Sequence, residues 1–137
     1  MRKFLPVYVL AASLFAISCS NSPQPAESQT KGAAIEFETT EHDYGTLPQG
    51  GDGSYEFVFR NTGKVPLVLN NVRSSCGCTV PEWPKKPIDK GEEGKIKVSY
   101  NTRITGSFSK SISVYCNASD KPYVLVIKGK VEETEKK

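Results

Sequence analysis

From Ala34 onward the apolar residues recur at every second position, and this period constrains the fold more than any other feature of the chain. Side chains of an extended strand point alternately to opposite faces, so a period of two marks strands with one face buried. "AIEFE" puts Ile35 and Phe37 on one face, and "SYEFVFRN" does the same for Tyr55, Phe57 and Phe59. "PLVLNNV" aligns Leu67 with Leu69, "GKIKVSYN" aligns Ile96, Val98 and Tyr100, and "FSKSISVYCN" aligns Phe108, Ile112, Val114 and Cys116. "YVLVIKGKV" begins apolar on both faces, which predicts a central strand covered on both sides. Turn residues separate the runs at 48–53, 61–63, 87–94, 105–106 and 118–122, and no segment carries a capped helical stripe. The expected fold is all-β, an immunoglobulin-like antiparallel sandwich of about seven strands. The longest interruption, Ser74 to Glu93, offers one short extended piece near Thr79 and Val80, expected as an edge strand because of its prolines.

The first residues, "MRKFLPVYVLAASLFAISCS", join Arg2 and Lys3 to an apolar run from Phe4 to Ile17, the pattern of an export signal. About 14 residues fall short of the roughly 20 that cross a bilayer core as a helix. The run ends in Ala16-Ile17-Ser18-Cys19, which resembles a bacterial lipobox; the resemblance implies cleavage before Cys19 and lipidation of that residue. "SNSPQPAESQTKGAA" follows, free of large apolar residues, as suits a solvated tether reaching up to about 50 Å. The expected organisation is a signal peptide at 1–18, a tether at 19–33, a sandwich domain at 34–132 and a charged tail at 133–137. Loss of Arg2 and Lys3 with the signal leaves 16 basic and 15 acidic residues, close to neutral. No Lys/Arg run of nucleic-acid type occurs, so nucleic acid is excluded as a partner class.

Chemistry concentrates in "RSSCGCTVPEW", residues 73–83. With Cys19 lipidated, Cys76, Cys78 and Cys116 remain in an oxidising compartment, enough for one disulfide within the chain. In a flat strand Cys76 and Cys78 lie about 6.6 Å apart, at the far limit for a bridge. Gly77 permits the necessary bend, since glycine reaches positive φ without steric cost. A bridge from Cys116 to this loop is the alternative, closing about 40 residues and worth roughly 3 to 4 kcal/mol on chain entropy. Two other uses stay open. Arg73, Lys85 and Lys86 favour a thiolate for redox exchange, and two soft sulfurs suit Cu(I) or half a zinc site, with Cys116 and His42 as further ligands. His42 itself reads as a surface or loop residue. Trp83, the lone tryptophan, reads as a cap on one end of the sandwich or as a ligand platform. Asp43, Asp52, Asp89 and Asp120 fall near turns, Glu92 and Glu93 face different directions, and no nucleophile or phosphate-loop motif occurs. No catalytic residue, cofactor or metal is assigned.

The series "HDYGTL", "YEFVFRNTG", "SSCGCTVP", "PIDKGEEGKIKVSY" and "GSFSKSISVYCN" resembles a domain of unknown function common in exported lipoproteins of Bacteroidetes, over about residues 37 to 130. It is similar, more distantly, to the hydin and sperm-protein group of immunoglobulin-like domains. The resemblance implies the sandwich and no reaction. Cys116 stands where Thr or Ser is more usual in that pattern. The expected function is a non-catalytic cell-envelope lipoprotein, an adaptor or binding module at the outer membrane facing the periplasm, held by its lipid and joined to an envelope protein or glycan. The alternative is an extracytoplasmic thiol-redox or Cu(I)-handling protein built on Cys76 and Cys78.

Overall fold

The computed structural model describes residues 32–135. The expected signal peptide, Cys19 and the tether up to residue 31 lie outside the described residues, as do the last two residues of the tail.

Eight strands form: β1 (Ile35–Phe37), β2 (Glu41–Pro48), β3 (Ser54–Asn61), β4 (Leu69–Ser74), β5 (Thr79–Glu82), β6 (Glu93–Tyr100), β7 (Gly106–Cys116) and β8 (Tyr123–Glu132). They make two four-stranded sheets, ordered β1-β3-β6-β5 and β2-β8-β7-β4. This is the immunoglobulin arrangement, with the first strand of the chain divided between the sheets. No helix occurs among the described residues.

The alternating runs form strands because each buries one face against the other sheet. Phe57, Phe59, Ile96 and Val98 supply the inner face of the first sheet, and Ile112, Val114, Leu125 and Ile127 that of the second; all are fully buried. Tyr100 of β6 stacks on Phe108 of β7 at 3.7 Å between ring centroids, joining the sheets. Burying side chains of this size contributes about 1.5–3 kcal/mol each. Leu67 and Ile88, both buried, pair in an isolated bridge outside the named strands.

The expected immunoglobulin-like sandwich forms, with one parallel pair within it, β2 with β8. After β1 has paired with β3, the chain crosses through residues 38–40 into the other sheet without reversing. β2 is also the strand beyond the seven expected. Its period is broken at Gly45, which has φ +65°, and Asp43 Oδ1 accepts the Gly45 N–H at 2.8 Å, so the register shifts between Asp43 and Thr46. One expectation fails at β8, whose two apolar faces predicted double cover. It is central in its sheet, yet only Leu125, Ile127 and Val131 are buried, and Val124 is 52% exposed. β5 is an edge strand, as its Pro81 requires.

The turn after β3 is fixed by the fully buried Asn61. Its amide donates to the carbonyls of Val65 at 2.8 Å and Ile88 at 2.9 Å, and its Oδ1 accepts the Gly63 N–H at 2.9 Å. Gly63 packs directly on the backbone of Gly32 and Ala34, so closely that no Cβ fits there.

Candidate functional site

The segment from Ser74 to Thr79 carries the chain from the edge of one sheet to the edge of the other. Ser75 anchors its start: its N–H donates to the Ser111 carbonyl at 2.8 Å, and its Oγ accepts the Ser111 N–H at 3.3 Å. Its end is held where the Cys78 carbonyl accepts the Asn101 N–H at 2.8 Å and β5 begins pairing with β6. Between these anchors Cys76 and Cys78 form a disulfide with Cα atoms 5.4 Å apart, shorter than a flat strand allows. The Cys76 N–H donates to Ser74 Oγ at 3.4 Å and the Cys78 N–H to Cys76 Sγ at 3.3 Å, both bonds folding the turn inward. Cys78 packs against the core, both cysteines are half-buried, and Gly77 is exposed.

Gly77 does not act as expected. It is not among the positive-φ glycines, and a Cβ built there meets nothing within 4 Å. The bend is made without a positive φ there, and the space beside Gly77 is open.

Cys116 is buried and has no disulfide partner among the described residues. Burial pushes its thiol pKa up, partly offset by the backbone N–H groups of Ala118 and Ser119. The alternative bridge to the Cys-Gly-Cys loop does not form, for a geometric reason. Cys116 pairs with Leu69, whereas Ser74, at the loop end of β4, pairs with Ile112. Four residues of strand, about 13 Å, separate those levels. The bridge that does form spans three residues and contributes about 1.6 kcal/mol on chain entropy, less than half the value for a 40-residue loop.

His42 lies on β2, not in a loop, level with Ile127, which in turn pairs with Lys110. Two strands therefore stand between His42 and β4, and the four-ligand convergence with the cysteines is not formed. Among the described residues no group of three or more His, Cys, Asp or Glu side chains is placed to hold a metal ion. His42 instead stacks on Tyr55 at 3.6 Å and meets Tyr44 edge-on at 4.6 Å, joining the sheets at a half-buried position. Desolvation lowers its pKa, with Asp43 opposing. Tyr44 donates its hydroxyl to the Gly53 carbonyl at 2.8 Å, and burial, with Asp52 and Tyr55 adding, pushes its pKa up to about 12.

Trp83 follows β5 and packs against the core as a cap, its Nε1 buried without a partner among the described residues. Lys85 Nζ sits 3.0 Å from the ring centroid, which assigns this ammonium to a cation–π contact and not to a cysteine thiolate. Trp83 also lines a shallow groove with Glu82, Glu56, Glu93, Lys95 and Lys97.

The sheet edges differ in what they offer. β1 has three residues, and β2 is interrupted by its bulge and ends in Pro48. In β5 the Cys78 carbonyl faces β6, so by alternation Pro81 faces the open side, where it has no N–H to give. β4 has six residues and no proline. The Ser75 N–H faces β7, so the backbone groups of Val72 and Ser74 face away from it, toward the open side. This edge carries no motif that marks it in the sequence; only pairing reveals it.

Residues 35–131 match the model of a family described as a protein of unknown function, DUF1573. No curated protein matches the chain. A protein of unknown function from Porphyromonas gingivalis W83 is similar in structure, with a TM-score of 0.66 and 20% identity, over 77% of this chain and 50% of that one. The present chain thus spans half the length of that protein. The ASH / PapD-like domain 7 of human CEP192 is similar with a TM-score of 0.64 and 12% identity, over 95% of this chain and all of that one (100%). The VesB protease of Vibrio cholerae is similar with a TM-score of 0.55 and 12% identity, over 75% of this chain and 32% of that one. At these identities the likeness shows a shared fold.

Proposed function

The chain belongs to the DUF1573 family of proteins of unknown function, and on that premise we propose that it is a non-catalytic cell-envelope lipoprotein whose sandwich is a binding module. The lipobox at Cys19 and the polar segment after it support an anchored, tethered domain at the outer membrane, facing the periplasm. The observation that carries the binding role is the open edge of β4. Among the described residues its outward backbone groups at Val72 and Ser74 are unmet by any strand, while the other edges are short, bulged or blunted by proline. An extended segment of an envelope protein adds to such an edge through main-chain hydrogen bonds, with side-chain contacts giving selectivity.

The test places a photo-crosslinking residue at exposed Arg73 on β4, and separately at Val124 on the outer face of β8, in the full chain in cells. Adducts from position 73 that map to one contiguous peptide segment, with none from position 124, support the edge. Adducts to glycan, or equal yields from both positions, reject strand addition. In the same cells Cys19→Ala is expected to lose lipid label and membrane attachment; retention of both refutes the anchor.

A further inference from the structure

We propose that the Cys76–Cys78 disulfide is a thiol–disulfide exchange site that passes its disulfide to a dithiol protein of the same compartment. This goes beyond the binding role and does not depend on it. Three features lead to it. The bridge closes only three residues, so it constrains the unfolded chain little, and both ends of the turn are held by other bonds: Ser75 to Ser111 and Cys78 to Asn101. Access is open: both cysteines are half-buried, Gly77 is exposed, and nothing lies within 4 Å of the place a Cβ would occupy. The two sulfurs are also unlike. Cys78 packs against the core, whereas Cys76 Sγ accepts the Cys78 N–H. When Cys76 carries a thiolate that contact becomes charge-assisted and about twice as strong, which favours the reduced state.

These differences assign the roles. A partner thiolate attacks Cys76 Sγ; a mixed disulfide forms, the Cys76–Cys78 bond breaks, and Cys78 leaves with the electron pair and takes a proton from water. The partner's second thiolate then attacks its own sulfur in the mixed disulfide and releases Cys76 as the thiolate held by the Cys78 N–H. Two electrons pass to this protein, and the partner gains one disulfide. Cys116, buried and at the other level of β4 and β7, takes no part.

The test uses the full chain, purified in detergent, with reduced and oxidised glutathione as the probe and peptide mapping by fragmentation to separate residues 76 and 78. The pair is expected to pass from oxidised to reduced within the range of glutathione ratios. Cys78→Ser should trap glutathione on Cys76, and in the reduced chain Cys76 should alkylate about tenfold faster than Cys78, because the Cys76 sulfur keeps the Cys78 N–H while Cys78 packs against the core. Gly77→Val serves as a second variant: it should keep the fold and the disulfide, because the site is unoccupied, and slow exchange by about tenfold by blocking approach. A bridge that stays oxidised at every ratio overturns the proposal. So do preferential labelling of Cys78 and exchange at an unchanged rate in folded Gly77→Val.

Discussion

Asn61→Ala should be among the most damaging polar substitutions in this domain, and the structure gives its size. Asn61 is fully buried and makes three hydrogen bonds, two to carbonyls and one from the Gly63 N–H. Each contributes about 1 kcal/mol net, and a buried group left unpaired adds about 1–3 kcal/mol. The Ile88 carbonyl keeps the Leu67 N–H at 2.8 Å, so its loss is softened; the Gly63 N–H has no such reserve in its tight contact with Gly32 and Ala34. The expected loss is about 3–5 kcal/mol, a large part of the roughly 5–15 kcal/mol typical of a whole domain. Asn117 is the internal control. It also bridges backbone, accepting the Val68 N–H at 2.9 Å and donating to the Pro66 carbonyl at 3.0 Å, but it is half-exposed and water replaces it. Asn117→Ala should cost about 1 kcal/mol. Urea unfolding of both variants, with the slope m held common, reads the difference directly. A difference under about 1 kcal/mol would refute the claim that burial, not bond number, sets the cost.

Stability should rise with pH toward the ordinary histidine range. The pKa of His42 is lowered in the fold, so the unfolded chain takes the proton first, and stability falls as pH drops from about 6.5 through the folded pKa. Urea midpoints between pH 5 and 7.5 should show this slope in the parent chain and lose it in His42→Phe; a slope of opposite sign would contradict the assignment. Cys116, with its raised pKa and its place in the core, should resist iodoacetamide in the native chain and react fully in urea, and rapid native labelling would reject the burial.

How much of this was legible beforehand depended on where a residue's partner lay. In β3 and β6 the alternation of Phe57 and Phe59, or Ile96 and Val98, with exposed neighbours reports burial on one face, a property local to each strand. β2 was hidden because Asp43, Gly45 and Pro48 are turn residues, and its pairing depends on β8, some 85 positions later in the chain. At β8 the period itself misled, since Val124 and Val126 continue the apolar run on a face that no other layer of the described residues covers. The cysteines showed the limit most plainly: composition allowed one bridge, and only the separation of Leu69 from Ser74 along β4 decides that Cys116 has no part in it.

The parallel pairing of β2 with β8 also sets how the domain carries mechanical load. Because the two strands run in the same direction, a pull on the chain before β2 and an opposing pull beyond Glu132 slide one strand along the other. The pairings from Glu41–Val126 to Pro48–Glu132 then bear the force together, in shear, instead of opening one after another as in a peeled hairpin. A protein held at its front end by a tether would meet tension at this seam, and a short parallel ladder on an otherwise antiparallel sandwich is well oriented to resist it.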